Sequence, residues 1–98
     1  MVTRTFDFSE ALQLLKHDFT PRVKVARTGW NGRNMWIAKQ DGYPDGIAIN
    51  ENTAKATGLA VGTTVRFAPY LMLHSADGTM VPWLPSQTDL MAEDWVVV

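Results

Sequence analysis

The chain of 98 residues contains no cysteine. This absence excludes a disulfide framework, a zinc–thiolate site and a cysteine nucleophile, and it fits a reducing compartment. No apolar run approaches the ~20 residues of a transmembrane helix, and the first residues lack the apolar core of a signal peptide. We therefore expect a cytoplasmic protein that does not act on a membrane.

An excess of positive charge is also absent, because nine basic and ten acidic residues give a net charge of −1. A protein that coats DNA or RNA needs a basic face to displace counterions from phosphates. We therefore do not expect a nucleic acid polymer as partner. In contrast, four tryptophans are many for so short a chain.

Groups suited to catalysis are scarce. His17 and His74 lie far apart and lack a metal-ligand spacing. Glu93 and Asp94 are adjacent in an expected strand, where their side chains point in opposite directions. We expect no catalytic residue, no metal site and no cofactor.

The pattern of apolar residues predicts an α+β fold in a single domain over residues 1–98. Apolar residues at i, i+3, i+4 and i+7 predict a helix over Phe8–His17, begun by a capping box of Asp7 and Glu10. Asn50 and Ser86 can each begin a short further helix. We expect the first helix to pack on an antiparallel sheet of about five strands, with one or two short extra helices.

Alternating residues and turn formers place the strands. We expect strands over residues 23–26, 35–39, 47–49, 64–75 (interrupted at Pro69), 80–84 and 93–98. Turns are expected at Asp41-Gly42, at Tyr43-Pro44-Asp45-Gly46 and, as a hairpin, at Asp77-Gly78. Trp36 and Trp95 lie in strands and are expected to be mostly core.

The segment Gly29-Trp30-Asn31-Gly32 allows two interpretations. Its glycines can aim backbone N–H groups at an anion, and Trp30 offers a flat face on which a base can stack. It can equally be a tight hairpin with a partly buried Trp. Phe8 can be core or a second stacking face. Arg27 and Arg33 can be solvated or can face phosphate.

The segment from Pro82 to Asp89 is the second candidate. Pro82 and Pro85 hold Trp83 in an irregular segment, so we expect Trp83→Ala to weaken ligand binding while leaving the fold largely intact. The four polar residues Ser86, Gln87, Thr88 and Asp89 suit capping of a helix, contact with a ligand, or both.

Four segments resemble the second type of Thoeris anti-defense protein, a phage and bacterial family. They are FSEAL (residues 8–12), VARTGWNG (25–32), MW (35–36) and ADGTMVPWLPSQTDLMAEDW (76–95). The resemblance implies a homotetrameric sponge that acts in the host cell cytoplasm. It implies capture, without cleavage, of cyclic ADP-ribose isomers such as glycocyclic ADP-ribose, and of cyclic dinucleotides in some members.

This resemblance suggests a role for each candidate residue, in sites between protomers. Aromatic side chains would stack on bases, polar ones would read base edges and ribose hydroxyls, and a basic one would offset the diphosphate. The stacking residues are Trp30, Trp83 and Phe8, the reading residues are Asn31, Gln87, Thr88 and Asp89, and the basic residue is Arg27 or Arg33. Ser86 is a further candidate for contact with the ligand. The alternatives are a small nucleotide-processing enzyme and a Trp-rich protein–protein adaptor.

Overall fold

The computed structural model describes residues 4–30 and 34–98. Its helices are α1 (Phe8–Lys16), α2 (Glu51–Thr57) and α3 (Gln87–Met91), with a 3₁₀-helix at Thr28–Trp30. Its strands are β1 (Val25–Arg27), β2 (Trp36–Gln40), β3 (Tyr43–Ala48), β4 (Thr64–Phe67), β5 (Tyr70–His74), β6 (Met80–Pro82) and β7 (Trp95–Val97). The chain forms two compact units, residues 1–39 with 71–98, and residues 40–70.

The helix α1 begins and ends where local side chains satisfy its backbone. Asp7 Oδ1 accepts a hydrogen bond from the Glu10 amide at 2.8 Å, and Glu10 Oε1 accepts one from the Asp7 amide at 3.2 Å. This capping box confirms the predicted start of the helix. Ala11 and Leu15, one turn apart, are fully buried, which fixes the face that α1 turns towards the sheet.

A five-stranded antiparallel sheet runs in the order β6-β5-β2-β1-β7. Val25 of β1 lies opposite Ile37 of β2 on one side and Val97 of β7 on the other. Directly opposed residues share a face of the sheet, so Val25 and Ile37 belong to the same buried layer. The α+β prediction, with one main helix and a five-stranded sheet, is confirmed.

The hydrophobic core lies in the unit that contains the five-stranded sheet. Its fully buried members are Ala11, Leu15, Val25, Ile37 and Trp95, and Trp83 joins them with 8% exposure. The prediction for Trp95 is therefore confirmed.

Trp36, which we also expected in the core, is only half-buried. Its ring stacks on His74 at 4.7 Å with an interplanar angle of 6°, and Lys24 Nζ lies 4.8 Å from the ring centroid. His74 Nδ1 is also 2.8 Å from the carbonyl oxygen of Asn34. These contacts hold the His74 ring between β2 and the Asn34 carbonyl.

The unit of residues 40–70 contains a two-stranded sheet of β3 and β4 and the helix α2. The Asn50 side chain accepts from the Thr53 amide at 3.0 Å, and Gly58 ends α2 with φ of 79°. The predicted cap at Asn50 is thereby confirmed, and glycine is the residue type that most readily ends a helix in the left-handed conformation.

The predicted turn at Tyr43-Pro44-Asp45-Gly46 is wrong, because β3 runs through it. Tyr43 lies opposite Phe67 and Ile47 opposite Val65, with an irregularity in between. Three residues of β3, Pro44 to Gly46, therefore lie opposite the single residue Arg66 of β4, and the turn-forming residues are taken up in a bulge. Bulges are among the few places where a sheet accepts proline.

Two backbone features lie at the ends of the larger sheet. Phe6 and Trp95 exchange two hydrogen bonds, of 2.8 and 3.1 Å, in an isolated antiparallel bridge. At the other end, the Ser75 amide donates to the Thr79 carbonyl at 2.9 Å across the turn between β5 and β6. The predicted hairpin at Asp77-Gly78 is thus confirmed.

Candidate functional site

Trp95 lies at the centre of an aromatic cluster in the unit that contains the five-stranded sheet. Its ring centroid is 5.3 Å from that of Phe8, 5.4 Å from Trp30 and 5.8 Å from Trp83. The contacts with Trp30 and Trp83 are T-shaped, at 83° and 85°, an arrangement that the charge distribution of aromatic rings favours. These four residues form what we call the Trp95 cluster, and three of them are predicted site residues.

Trp83 lies deeper than we expected. The Trp83 amide donates to the Leu71 carbonyl at 2.9 Å, so the strand pairing continues past β6 and turns the indole towards the core. The ring also packs on Phe8, with centroids 5.6 Å apart. The expectation that Trp83 lies outside the core is therefore wrong, and we now expect its removal to destabilise the fold. Its contact with a ligand stays a prediction.

Phe8 and Trp30 are the half-buried members of the cluster. Both pack against buried residues and keep part of their surface in solvent. Thr28, two residues before Trp30, is held by the Asp94 carbonyl, which accepts from the Thr28 amide at 3.1 Å and from its hydroxyl at 2.7 Å. Phe8 and Trp30 therefore combine a fixed backbone with accessible ring surface. The predicted site residues Asn31 and Arg33 lie outside the described residues.

Arg27 joins two acidic residues beside the cluster. Its Nε donates to Asp94 Oδ1 at 3.0 Å, and its Nη1 donates to Asp89 Oδ1 at 3.1 Å. Both hydrogen bonds raise the pKa of Arg27, and the bond to Asp94 has a larger effect than the bond to Asp89. The positive charge expected to face a diphosphate is thus already balanced within the chain, and its contact with a ligand stays a prediction.

Asp89 uses both carboxylate oxygens to hold α3 in place. Oδ1 accepts from Arg27, and Oδ2 accepts from the Ser86 amide at 3.2 Å. Burial opposes ionisation of this carboxyl, but the hydrogen bonds from Ser86 and Arg27 outweigh it and lower the pKa of Asp89. Ser86 Oγ in turn accepts from the Asp89 amide at 3.0 Å. The capping role predicted for Ser86 is therefore confirmed.

Gln87 and Thr88 point away from this scaffold. Both are exposed residues of the first turn of α3. Within residues 4–30 and 34–98, neither side chain has a hydrogen-bond partner. The turn itself is fixed by its capping box, and the Trp95 Nε1 donates to the Asp89 carbonyl at 3.0 Å. The result is a rigid support that presents one amide and one hydroxyl to solvent.

A groove in the other unit was not identified from the sequence. It has a volume of about 460 Å³ and lies entirely within residues 40–70. Its aromatic residues are Tyr43, at the start of β3, and Phe67 and Tyr70, which come much later in the chain and three residues apart. They match no known sequence motif. A bulky aromatic residue at the start of β3, at the end of β4 and at the start of β5 is the signal that could have indicated it.

Residues 4–30 and 34–98 contain neither a metal-binding cluster nor a membrane-spanning helix. No group of three His, Asp or Glu residues there could hold a metal ion. No helix within the same ranges is long and apolar enough to cross a bilayer.

Most of the chain matches one protein family. The model of the Thoeris anti-defense 2-like domain matches residues 6–98. A curated protein of Bacillus phage SP01, named Thoeris anti-defense 2, is 34% identical over 99 residues, which cover 93% of this chain and 92% of the phage protein. The resemblance found in the sequence is thus confirmed, and the chain belongs to the Thoeris anti-defense 2-like family.

Proposed function

We propose that this chain counteracts Thoeris immunity by binding an immune signalling nucleotide and withholding it without cleaving it. The proposed ligand is a cyclic ADP-ribose isomer such as glycocyclic ADP-ribose, and cyclic dinucleotides are proposed as further ligands. Membership of the Thoeris anti-defense 2-like family supports the anti-Thoeris role. It is also consistent with a phage protein acting in the host cytoplasm.

The observation that carries the ligand proposal is the fixed first turn of α3. Gln87 and Thr88 are exposed on a turn fastened by the Ser86–Asp89 capping box and by Trp95. Because the backbone of this turn is fixed before binding, only the side-chain rotamers of Gln87 and Thr88 lose freedom when the ligand arrives. An amide and a hydroxyl suit base edges and ribose hydroxyls, and half-buried Trp30 supplies a ring for stacking.

Binding without cleavage fits the acidic residues beside this turn. A general acid or base works best with a pKa near the working pH. Asp89 has a lowered pKa and both oxygens engaged, and Asp94 Oδ1 is bonded to Arg27. These carboxylates are therefore suited to holding the scaffold rather than to moving protons.

A ligand-release experiment tests the proposal. The protein is mixed with glycocyclic ADP-ribose, separated from free ligand and heat-denatured, and the released compound is identified by mass spectrometry. We expect intact ligand in stoichiometric amount. Turnover of excess ligand would show an enzyme instead, and failure to retain either glycocyclic ADP-ribose or a cyclic dinucleotide would favour an adaptor.

Paired variants localise the site. Replacing Gln87 and Thr88 together by Ala should weaken binding without loss of stability, by about 2- to 13-fold for each hydrogen bond removed. The matched control replaces Glu51 and Asn52, which occupy the same positions in the first turn of α2. Equal affinities of the two double variants would remove the α3 turn from the site.

We further propose that four copies assemble, with ligand sites between protomers. Leu84, three residues before α3, and Met91, at the end of α3, are 90% and 78% exposed, and methionine is enriched at protein interfaces. Light scattering behind a sizing column should give four times the 10.9 kDa chain mass. The double variant Leu84→Glu, Met91→Glu should have a lower assembly mass. The control Val61→Glu changes another exposed apolar residue, at 62% exposure, and should leave the assembly mass unchanged. A monomer that binds the ligand tightly would overturn this assembly.

A further inference from the structure

The groove in residues 40–70 has the size of a small-ligand site. Its volume of about 460 Å³ lies in the range of roughly 300–1,000 Å³ typical of such pockets. None of its lining residues belongs to the Trp95 cluster, to α3 or to the Arg27 ion pairs. A role for this groove is therefore independent of the proposed sequestration at α3.

Three aromatic side chains line the groove and remain exposed. Tyr43 and Phe67 are directly opposed across β3 and β4, which places them on one face of the small sheet. Tyr70 follows three residues after Phe67. Their exposed fractions are 52%, 37% and 46%. Among the described residues, none of these rings packs against another ring, so their faces are available for stacking.

The lining contains no charged side chain. It consists of aromatic, aliphatic and neutral polar residues, with Gln40, Asn50 and Thr53 providing the polar side chains. A charged ligand group entering the groove would lose water without meeting an opposite charge, which costs free energy. The groove therefore suits a neutral ligand.

Asn50 provides a hydrogen-bond donor at a fixed position. Its side-chain oxygen accepts from the Thr53 amide at 3.0 Å and thereby caps α2. The nitrogen of the same amide group carries two donors, and this geometry leaves them for a ligand at the wall of the groove. A flat ring with acceptor atoms at its edge matches both the donors and the aromatic faces.

We propose that this groove is a second binding site, which takes a neutral, planar heteroaromatic ring compound of nucleoside size. The ring stacks on the aromatic wall formed by Tyr43, Phe67 and Tyr70, and its acceptor edge meets the Asn50 amide. Phosphate contributes nothing to binding here, because no lining side chain carries a positive charge.

The distribution of aromatic residues allows a selective test. The chain has two tyrosines, and both line the groove, whereas all four tryptophans lie outside residues 40–70. Protein labelled with 3-fluorotyrosine therefore gives two ¹⁹F signals that both report on the groove, and 5-fluorotryptophan reports on the other unit. Adenosine should shift both tyrosine signals saturably and leave the tryptophan signals unchanged. Ribose alone should shift neither.

Adenosine monophosphate tests the preference for a neutral ligand. We expect it to bind no more tightly than adenosine. Tighter binding of the phosphate form, or no saturable tyrosine shift with millimolar adenosine, would overturn the proposal. Either result would leave the sequestration proposal standing, because that is measured through α3 and the tryptophan signals.

Two variants identify the residues involved. Phe67→Leu keeps apolar bulk but removes the ring, and should weaken adenosine binding by roughly 5- to 150-fold, the effect of one lost base–aromatic stack. The control Phe19→Leu removes a ring that is 42% exposed in the other unit and should change nothing. Asn50→Asp retains a helix cap but loses the amide donors, and should weaken binding by about 2- to 13-fold. Unchanged affinity in both groove variants, with the fold intact by circular dichroism, would contradict the proposed site.

Discussion

Arg27 Nη1 donates a hydrogen bond of 3.1 Å to Asp89 Oδ1, although the two residues lie 62 positions apart in the chain. The Nε of the same guanidinium donates to Asp94 at 3.0 Å. One side chain of β1 thus holds both the first turn of α3 and the residue just before β7. The orientation of Gln87 and Thr88 depends on this cross-link.

Arg27→Met should lower the free energy of unfolding by about 1–3 kcal/mol, because it removes charge-assisted hydrogen bonds to two partly buried carboxylates. Urea unfolding monitored by tryptophan fluorescence gives the value. Arg66→Met, at an exposed position of β4, serves as the control and should stay within about 0.5 kcal/mol of the parent. Similar losses in both variants would contradict a structural role for the Arg27 ion pairs.

Trp83→Ala should destabilise the protein by about 3–5 kcal/mol, the usual cost of removing a buried aromatic side chain. The control Val61→Ala removes a side chain that is 62% exposed and should cost less than about 0.5 kcal/mol. Thermal and urea unfolding of the two variants measure the difference. A Trp83→Ala variant as stable as Val61→Ala would show that Trp83 is not part of the core.

The turn between β5 and β6 should weaken only in strong acid. The Thr79 amide and the Ser75 hydroxyl both donate hydrogen bonds to the Asp77 carboxylate. These bonds, of which that from Thr79 has the larger effect, lower the pKa of Asp77 to about 2. A depressed folded-state pKa means that the ionised carboxyl stabilises the turn fully above the unfolded value of about 4. This stabilisation is lost as the pH falls through about 2. The Thr79 amide proton should titrate accordingly by NMR, and Asp77→Asn should abolish that titration. A midpoint near 4 would disprove the depressed value.

Gly42→Ala should be far more damaging than Gly58→Ala. Both glycines have positive φ, of 67° and 79°. A Cβ at Gly58 would meet open space, so about 1–2 kcal/mol of backbone strain is expected. A Cβ at Gly42 would lie 2.7 Å from the Ala68 carbonyl oxygen and would also collide with that of Phe67. Comparison of the two variants by urea unfolding and by amide spectra of residues 40–70 checks this order, and equal losses would contradict it.

Structural features that depend on residues close together in the chain could be predicted from the sequence. The caps at Asp7, Asn50 and Ser86 each involve a partner three residues away, so the starts of all three α-helices were predicted correctly. The turn predicted from Tyr43 to Gly46 failed for the opposite reason. A bulge depends on the partner strand, and β4 begins almost twenty residues later.

The candidate site shows the same division between local and distant contacts. The sequence identified Ser86 as a cap and Gln87 and Thr88 as polar residues unsuited to a core. It could not show that Arg27 is paired with Asp89, or that Trp83 packs on Phe8. The groove in residues 40–70 was missed because its aromatic wall comes from three different strands.

The bridge between Phe6 and Trp95 affects whether a strand of another chain can pair with the edge of the larger sheet. An outer strand of a sheet exposes backbone groups with which a foreign strand can pair, leading to aggregation. On the outer side of β7, Phe6 already occupies those groups at Trp95. At the other edge, the Trp83 amide donates to β5. Because backbone groups alternate in direction along a strand, the backbone nitrogen of the preceding residue, Pro82, faces outward. Proline has no N–H there to donate to a foreign strand. Both margins of the sheet thus discourage the addition of a foreign β-strand.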